Sequence, residues 1–280
     1  MYDKYNIAHT IAGSLRTFLT YEVQYNLQII LFNTSIGNHD VFMNVNLDCL
    51  KSCPMNNTIG DLDRTLKILP IRSLRFYNAV KPPESICSSN DQKNYFSLTN
   101  KNYSVSRYNS FYYQYNALKI TYNDLIEYEI SHKKRFDIII RSRPDIVWYI
   151  TPSLYILGNS IIQNIMYVPT IWKNFDKIYT NGGSIIEDHV HLFPRNLAQT
   201  YFNALEAWDT CHPLSLYVKE CPFPSRNWQI KTARIQSECM LGIYLHRTNN
   251  ITRIPTQDLC LSRLPPYGTK PMCISHKQTS

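Results

Sequence analysis

The sequence predicts an α/β protein, built as a single domain with a mostly parallel central sheet flanked by helices. Near the amino terminus, an apolar segment, a helical segment and a second apolar segment follow one another. This is the order of a strand-helix-strand unit, in which the two strands are parallel. Further on, residues 136–140 are nearly all apolar and β-branched, which is typical of a strand covered on both faces. The composition agrees, because 44% hydrophobic and 18% charged residues in a chain of 280 allow a large core and exclude intrinsic disorder.

The first strand, helix and strand are expected within the first 45 residues. Residues 5–12 are predicted to form a strand that ends at Gly13, and a helix is expected over residues 15–26. An apolar run and a polar turn then lead to a second strand over residues 40–45. We find no internal repeat.

The clearest helix is predicted over residues 110–132, directly before the buried strand. Its side chains at spacings of three and four form one core-facing apolar stripe, which consists of Phe111, Tyr115, Leu118, Tyr122 and Leu125. Segments 48–63 and 81–104 are instead rich in Cys, Pro, Asn, Ser and Lys, so we expect long surface loops there.

The second half of the chain is predicted to continue the same architecture. A further apolar run covers residues 146–150, a strand is expected over residues 185–193, and a helix is expected over residues 233–246. Residues 256–280, which are rich in Pro and Lys, are expected to form a C-terminal extension or tail.

The charge distribution argues against nucleic acid as a partner. The chain carries 29 basic and 21 acidic residues, and this net charge of +8 is spread evenly over its two halves. The densest basic cluster, Lys133-Lys134-Arg135, is short and suits the carboxyl end of a helix. No apolar run approaches the ~18 residues of a membrane-spanning helix, and no signal peptide is evident. As given, the chain is therefore expected to be cytoplasmic, with no transmembrane segment.

The cysteines and sequons leave a secretory or Golgi lumen open as the alternative location. None of the eight cysteines forms a C-x-x-C pair, so a zinc or thioredoxin-like site is not supported. An even number of cysteines in loops suits disulfides in an oxidising compartment. The N-glycosylation sequons begin at Asn33, Asn56, Asn102 and Asn250.

The most polar cluster of the chain follows its most buried predicted strand. Arg141, Arg143 and Asp145 stand there within five residues, in the position where open α/β sheets bind ligands. The two guanidiniums could hold a phosphate, and the carboxylate could bind a divalent cation. The alternative is an internal ion pair between Arg143 and Asp145 that closes a turn at Pro144.

Several segments occur in an order and at spacings that match one protein family. They are residues 11–18, residues 39–42, residues 136–145 with their Arg-Pro-Asp piece, residues 187–195 with Tyr201-Phe202, and residues 237–241. In these segments the chain resembles a diffuse family of GT-A-type glycosyltransferase-like proteins of bacteria, algae, plants and large viruses. The resemblance implies a GT-A-like, Rossmann-related catalytic domain over residues 1–255.

The resemblance also implies roles for the strand-end residues. In metal-dependent GT-A enzymes, an Asp-x-Asp at this position binds a divalent cation and the diphosphate of a nucleotide sugar. Asp145 resembles the last Asp, which implies nucleotide-sugar binding and coordination of Mn²⁺ or Mg²⁺. Arg143 replaces the first Asp and could neutralise the leaving diphosphate directly, without a metal, so metal dependence stays open. Arg141 is predicted to bind the nucleotide sugar beside it. Gly13 and Arg16 are implied as further nucleotide-sugar-binding residues, the alternative being an ordinary strand-to-helix turn.

Two carboxylates are predicted to take part in catalysis. Glu238 matches the position near a helix start where GT-A enzymes often keep the base that deprotonates the acceptor, although a Glu there also suits the helix dipole. Asp188, on the otherwise apolar face of its strand, could orient sugar hydroxyls. On the other face, His189 and His191 could form a metal triad with Glu187, but such pairs are more often exposed polar residues.

We therefore expect a glycosyltransferase that uses a nucleotide-sugar donor and an acceptor hydroxyl of a glycan or glycoconjugate. The alternative is a non-catalytic carbohydrate-binding or scaffold protein on the same fold, which the missing first Asp keeps open. A nuclease is not supported, because no Asp/Glu-x-Lys follows on a second apolar strand. A serine hydrolase is not supported either, because G-x-S-x-G is absent.

Overall fold

The computed structural model of the chain describes residues 5–14, 21–28, 37–46, 59–77, 101–148, 154–170, 190–204, 241, 245, 251–255 and 261–263. The strands are β1 Tyr5–Ser14, β2 Gly37–Asn46, β3 Ile71–Tyr77, β4 Ile138–Ser142, β5 Ile146–Trp148, β6 Met166–Thr170, β7 Val190–Pro194, β8 Ile251–Pro255 and β9 Leu261–Arg263. The helices are α1 Tyr21–Asn26, α2 Ile59–Ile68, α3 Lys101–His132, α4 Leu154–Gln163 and α5 Ala198–Phe202, the last preceded by a 3₁₀ turn at Arg195–Leu197.

Seven strands form one mostly parallel sheet in the order β3-β2-β1-β4-β7-β6-β8. Strand β1 is parallel to β2 and β4, β2 is parallel to β3, and β6 is parallel to β8. Strand β7 is antiparallel to both of its neighbours, β4 and β6. The predicted α/β class with a mostly parallel sheet is therefore confirmed. A separate antiparallel pair joins β5, which follows the strand-end cluster, to β9.

Helices cover the two faces of this sheet. Side chains of β1 alternate between two core clusters, because successive residues of a strand point to opposite faces. Ala8 and Ala12 pack in one cluster with Tyr115 and Leu118 of α3, and we call this side the α3 face. Ile7, Ile11 and their neighbours pack on the other side with residues of α1 and α4, and we call it the α4 face.

The predicted strands over residues 5–12, 40–45 and 136–140 are confirmed as β1, β2 and β4, with bounds that differ by a few residues. All five residues of β4 are buried, as expected for a strand covered on both faces. The predicted strand over 185–193 and helix over 233–246 are seen in part: β7 begins at Val190, and Leu241 and Leu245 are helical and buried. Segment 15–20 of the first predicted helix lies outside the described residues.

Both predicted loops are wrong at their carboxyl ends, because a helix begins inside each of them. Helix α2 starts at Ile59, inside segment 48–63, because its charged side chains are those of a surface helix, with an Asp63–Lys67 pair one turn apart at 2.6 Å. Helix α3 starts at Lys101, inside segment 81–104. Its polar first turns extend the helix predicted over residues 110–132, and extending a helix costs much less than nucleating one.

None of the helices in the described part of the chain is both long enough and apolar enough to cross a membrane. All eight cysteines lie outside the described residues.

Candidate functional site

Strand β4 lies at the centre of the sheet and carries the strand-end cluster. Its neighbours are β1, which is parallel to it, and β7, which is antiparallel. Because β1 and β4 run in the same direction, their last residues, Ser14 and Ser142, lie at the same edge of the sheet. That edge, the carboxyl edge, is where open α/β sheets bind their ligands.

The turn after β4 is held by an ion pair. The Nε of Arg143 lies 2.8 Å from Oδ1 of Asp145, and its Nη2 lies 3.0 Å from Oδ2. Two parallel N–H···O bonds are the strong, orienting arrangement of a guanidinium with a carboxylate. Asp145 is only 4% exposed, so this pair is partly shielded from water. The internal ion pair that the sequence left open at Pro144 is therefore formed.

Gly13 is brought against this turn. A Cβ atom on Gly13 would lie 3.0 Å from the Cδ of Pro144, and its φ of +142° is one that side-chain-bearing residues rarely adopt. Glycine therefore allows the close approach of β1 to the turn. Of the predicted nucleotide-sugar-binding residues, Gly13, Arg143 and Asp145 are thus placed together, with Arg141 two residues before Arg143 on β4.

Arg141 lies within the core. It is 0% exposed, and its position on β4 alternates with Ile138 and Ile140 of the α4 face, which places it on the α3 face. Within the described segments, its Nε, Nη1 and Nη2 have no hydrogen-bond acceptor. A guanidinium with such burial loses its hydration without a compensating partner in this part of the chain.

The residues beside Arg141 on the neighbouring strands are also polar and buried. Thr10 of β1 and His191 of β7 are its register partners, and both are 0% exposed. Nδ1 of His191 lies 2.7 Å from the hydroxyl oxygen of Tyr201. The expectation that His191 is an exposed polar residue is therefore wrong, because β7 is an interior strand with neighbours on both sides and helices covering its faces.

Two of the buried polar residues at this edge, Thr10 and Asn44, were not predicted from the sequence. Asn44 of β2 donates from Nδ2 to the carbonyl oxygen of Ala117 at 3.3 Å, while its Oδ1 is buried with no donor among the described residues. A fully buried parallel strand is expected to be a continuous apolar run. A polar residue inside an otherwise apolar run was the signal that could have identified both residues.

The remaining predicted site residues, Arg16, Asp188 and Glu238, lie outside the described residues. Two residues of the helix predicted to carry Glu238, Leu241 and Leu245, pack in the core cluster of the α3 face.

The described residues do not fit a hard-cation site at Asp145. Both of its carboxylate oxygens accept hydrogen bonds from Arg143, and a site for Mn²⁺ or Mg²⁺ needs several oxygen ligands. Across the described ranges, no group of three or more His, Cys, Asp and Glu side chains could hold a metal ion.

On the α4 face, His9 forms a pair with His39. The two rings stack with centroids 5.1 Å apart, and Nε2 of His9 lies 2.8 Å from Nδ1 of His39. Complete burial, with a smaller contribution from the charge of His39, lowers the pKa of His9 well below its ordinary value of 6.5. His9 is therefore neutral at physiological pH.

No protein-family model matches this chain, and no curated protein matches it significantly.

Proposed function

We propose that this protein is a glycosyltransferase that moves a sugar from a nucleotide-sugar donor to an acceptor hydroxyl of a glycan or glycoconjugate, on a GT-A-like domain. The observation that carries this proposal is the contact between Gly13 and the Arg143-Pro144-Asp145 turn at the carboxyl edge of the sheet. A close backbone approach beside two arginines suits the phosphates of a nucleotide, and this edge is the usual ligand position in open α/β sheets.

The proposed reaction is the displacement of a nucleoside diphosphate at the anomeric carbon. The acceptor oxygen bonds to that carbon as the bond from the carbon to the diphosphate oxygen breaks. In an inverting transfer, Glu238 takes the proton of the acceptor hydroxyl, and Asp188 orients the sugar hydroxyls. Arg143 neutralises the charge that develops on the leaving diphosphate, while Gly13 and Arg16 lie against the nucleotide.

Arginine supplies the neutralising charge in this proposal. Asp145 then acts on the diphosphate indirectly, because its two hydrogen bonds hold the guanidinium of Arg143 in one orientation. Mn²⁺ or Mg²⁺ takes no part in the step as described, and a divalent cation is an arm of the experiment below.

A second candidate, a non-catalytic carbohydrate-binding or scaffold protein, is favoured by one observation. The ion pair between Arg143 and Asp145 is also what a purely structural turn would contain, since each group satisfies the other. Turnover of a donor separates the two candidates, because a scaffold would bind sugars without releasing a nucleoside diphosphate.

The test is a thermal-shift panel of nucleoside diphosphates and nucleotide sugars, each with and without Mn²⁺, followed by a nucleoside-diphosphate release assay. The panel is run on wild type, on Asp145→Asn and on Asp137→Asn, a matched exposed carboxylate at the amino end of β4. A ligand at 100 times its Kd should stabilise wild type by about 2.7 kcal/mol.

We expect one nucleotide to stabilise wild type and Asp137→Asn but not Asp145→Asn, and its nucleotide sugar to be turned over. Binding without release of the nucleoside diphosphate would favour the scaffold candidate. If no nucleotide or nucleotide sugar shifts wild type, the proposed donor class is wrong.

A further inference from the structure

Arg141 is a buried charge that the described part of the fold does not compensate. Among the described residues it is one of the largest fully buried side chains, and no acceptor lies within hydrogen-bond distance of its three nitrogen atoms. A guanidinium cannot lose its proton in a protein, so it cannot escape the cost of burial by becoming neutral. Such a charge needs an anion.

The following buried and partly buried carboxylates, all in the described segments, are already engaged by other cations. Asp40 pairs with Arg72 and Lys134, Asp124 pairs with Arg75, Glu129 pairs with Arg195, and Asp145 pairs with Arg143. None of these side chains bonds to Arg141. No buried carboxylate of the described segments therefore remains for Arg141, and a ligand could supply the anion that it needs.

A hydroxyl donor lies beside Arg141 on the same face of the sheet. Thr10 is its register partner on β1, is 0% exposed, and has no hydrogen-bond partner for Oγ1 within the described ranges. Both residues lie near the carboxyl edge, since β4 ends one residue after Arg141. The guanidinium and the hydroxyl together offer more donors than one carboxylate can use well, and a phosphate group has the additional oxygens.

We propose that Arg141 and Thr10 form a closed binding site for one phosphate group, between the sheet and α3. The group is either a phosphate of the nucleotide donor or free inorganic phosphate. In the first case the inference rests on the proposed function, whereas in the second it stands without it. Because Arg141 has no solvent exposure, the ligand enters through local opening of the structure.

The experiment measures binding to the full chain by isothermal titration calorimetry. The probes are inorganic phosphate and the common ribonucleoside diphosphates, at an ionic strength held constant with sodium chloride so that general salt effects cancel. The variants are Arg141→Met, which keeps the length of the side chain without its charge, and Thr10→Val, which keeps the shape without the hydroxyl. Arg64→Met, on exposed α2, removes the same charge elsewhere.

We expect a probe to bind wild type and Arg64→Met equally, and to bind Arg141→Met at least about tenfold more weakly, since a charge-assisted contact is lost. Thr10→Val should weaken binding less, and it decides the question if Arg141→Met does not fold. The proposal is wrong if no probe binds wild type, if Arg141→Met binds like wild type, or if it does not fold and Thr10→Val binds like wild type.

The two sources of the phosphate group give different patterns. If inorganic phosphate binds through Arg141, the site takes free phosphate, and absence of nucleotide-sugar turnover would then contradict the proposed function alone. If only a nucleoside diphosphate binds through Arg141, the group belongs to the donor.

Discussion

Arg141 is fully buried on β4 and Arg195 is partly buried directly after β7, the neighbouring strand, yet the two arginines lie at opposite edges of the sheet and have opposite surroundings. Arg195, at the end of β7, donates to both oxygens of Glu129 at 2.7–3.0 Å and to the hydroxyl of Tyr122 at 2.9 Å. Burial works against its charge, but these hydrogen bonds outweigh it and raise the pKa of Arg195. Arg141 has no such partner among the described residues.

His9 shows a third way in which this fold treats a buried basic group. Its burial lowers its pKa, so it gives up its charge and shares a hydrogen bond with His39. Arginine has no neutral form to adopt, so only a partner can compensate it. Among the described residues, a charge pair is therefore completed at the amino edge of β4, whereas Arg141 has no partner near the carboxyl edge, the edge at which open α/β sheets bind ligands.

Breaking the pair at the amino edge should have the largest effect. Glu129→Leu leaves the largely shielded guanidinium of Arg195 without its carboxylate, and Glu129 also accepts from the backbone N–H of Phe136. We expect the free energy of unfolding in urea to fall by about 3 to 5 kcal/mol. The double variant Glu129→Leu/Arg195→Met should recover part of this loss, since no unpaired charge remains. A loss below about 1 kcal/mol would contradict the interpretation that Glu129 compensates the charge of Arg195.

Removing the charge of Arg141, near the carboxyl edge, should stabilise the protein, whereas breaking the pair at the amino edge should destabilise it. In phosphate-free buffer, Arg141→Met replaces an uncompensated buried charge by an apolar side chain of similar length. We expect the free energy of unfolding to rise by about 1 to 4 kcal/mol, measured by the same urea unfolding. If Arg141→Met destabilises the protein instead, Arg141 is compensated inside the folded chain. The proposed difference between Arg141 and Arg195 would then be wrong.

The neutral His9 predicts a pH dependence. Its pKa is lowered in the folded state, so below about pH 6.5 the unfolded chain binds a proton that the folded chain does not. Stability is fully present above that pH and should fall as pH decreases, by up to about 1.4 kcal/mol per pH unit. Urea unfolding between pH 7.5 and about pH 5.5, which avoids most carboxylate titration, measures the slope. His9→Gln should flatten it, and an equal slope in both proteins would assign the effect to other groups.

The exposed ion pair between Lys67 and Asp63 should have the smallest effect on the free energy of unfolding. Lys67 and Asp63 on α2 form a 2.6 Å ion pair in which the side chains are 72% and 59% exposed. Water and salt screen such pairs, so Lys67→Ala should lower the free energy of unfolding by no more than about 0.3 to 0.5 kcal/mol. The difference should vanish in 1 M salt, as screening predicts. A loss of the size expected for Glu129→Leu would show that burial is not what separates these pairs.

Particular elements show where sequence patterns were informative. The apolar run of β4 and the stripe of α3 were predictable because both depend on local period and composition, which neighbouring residues along the chain set. The start of α2 was not predicted, because the Cys, Pro, Asn and Ser residues of segment 48–63, which favour a loop, extend up to its first turn. The sequence predicted a strand at β7 but not its antiparallel direction. That direction depends on contacts with β4 and β6, which are distant in sequence.

For the candidate site, the sequence by itself determined that Arg141, Arg143 and Asp145 follow a buried strand, because the order of residues places them there. Only the tertiary structure decided what each side chain meets. The turn at Pro144 brings Arg143 onto Asp145, whereas strand alternation and the packing of α3 enclose Arg141 beside Thr10 and His191. Burial and pairing depend on which distant segments cover a residue, and a local pattern carries no information about that.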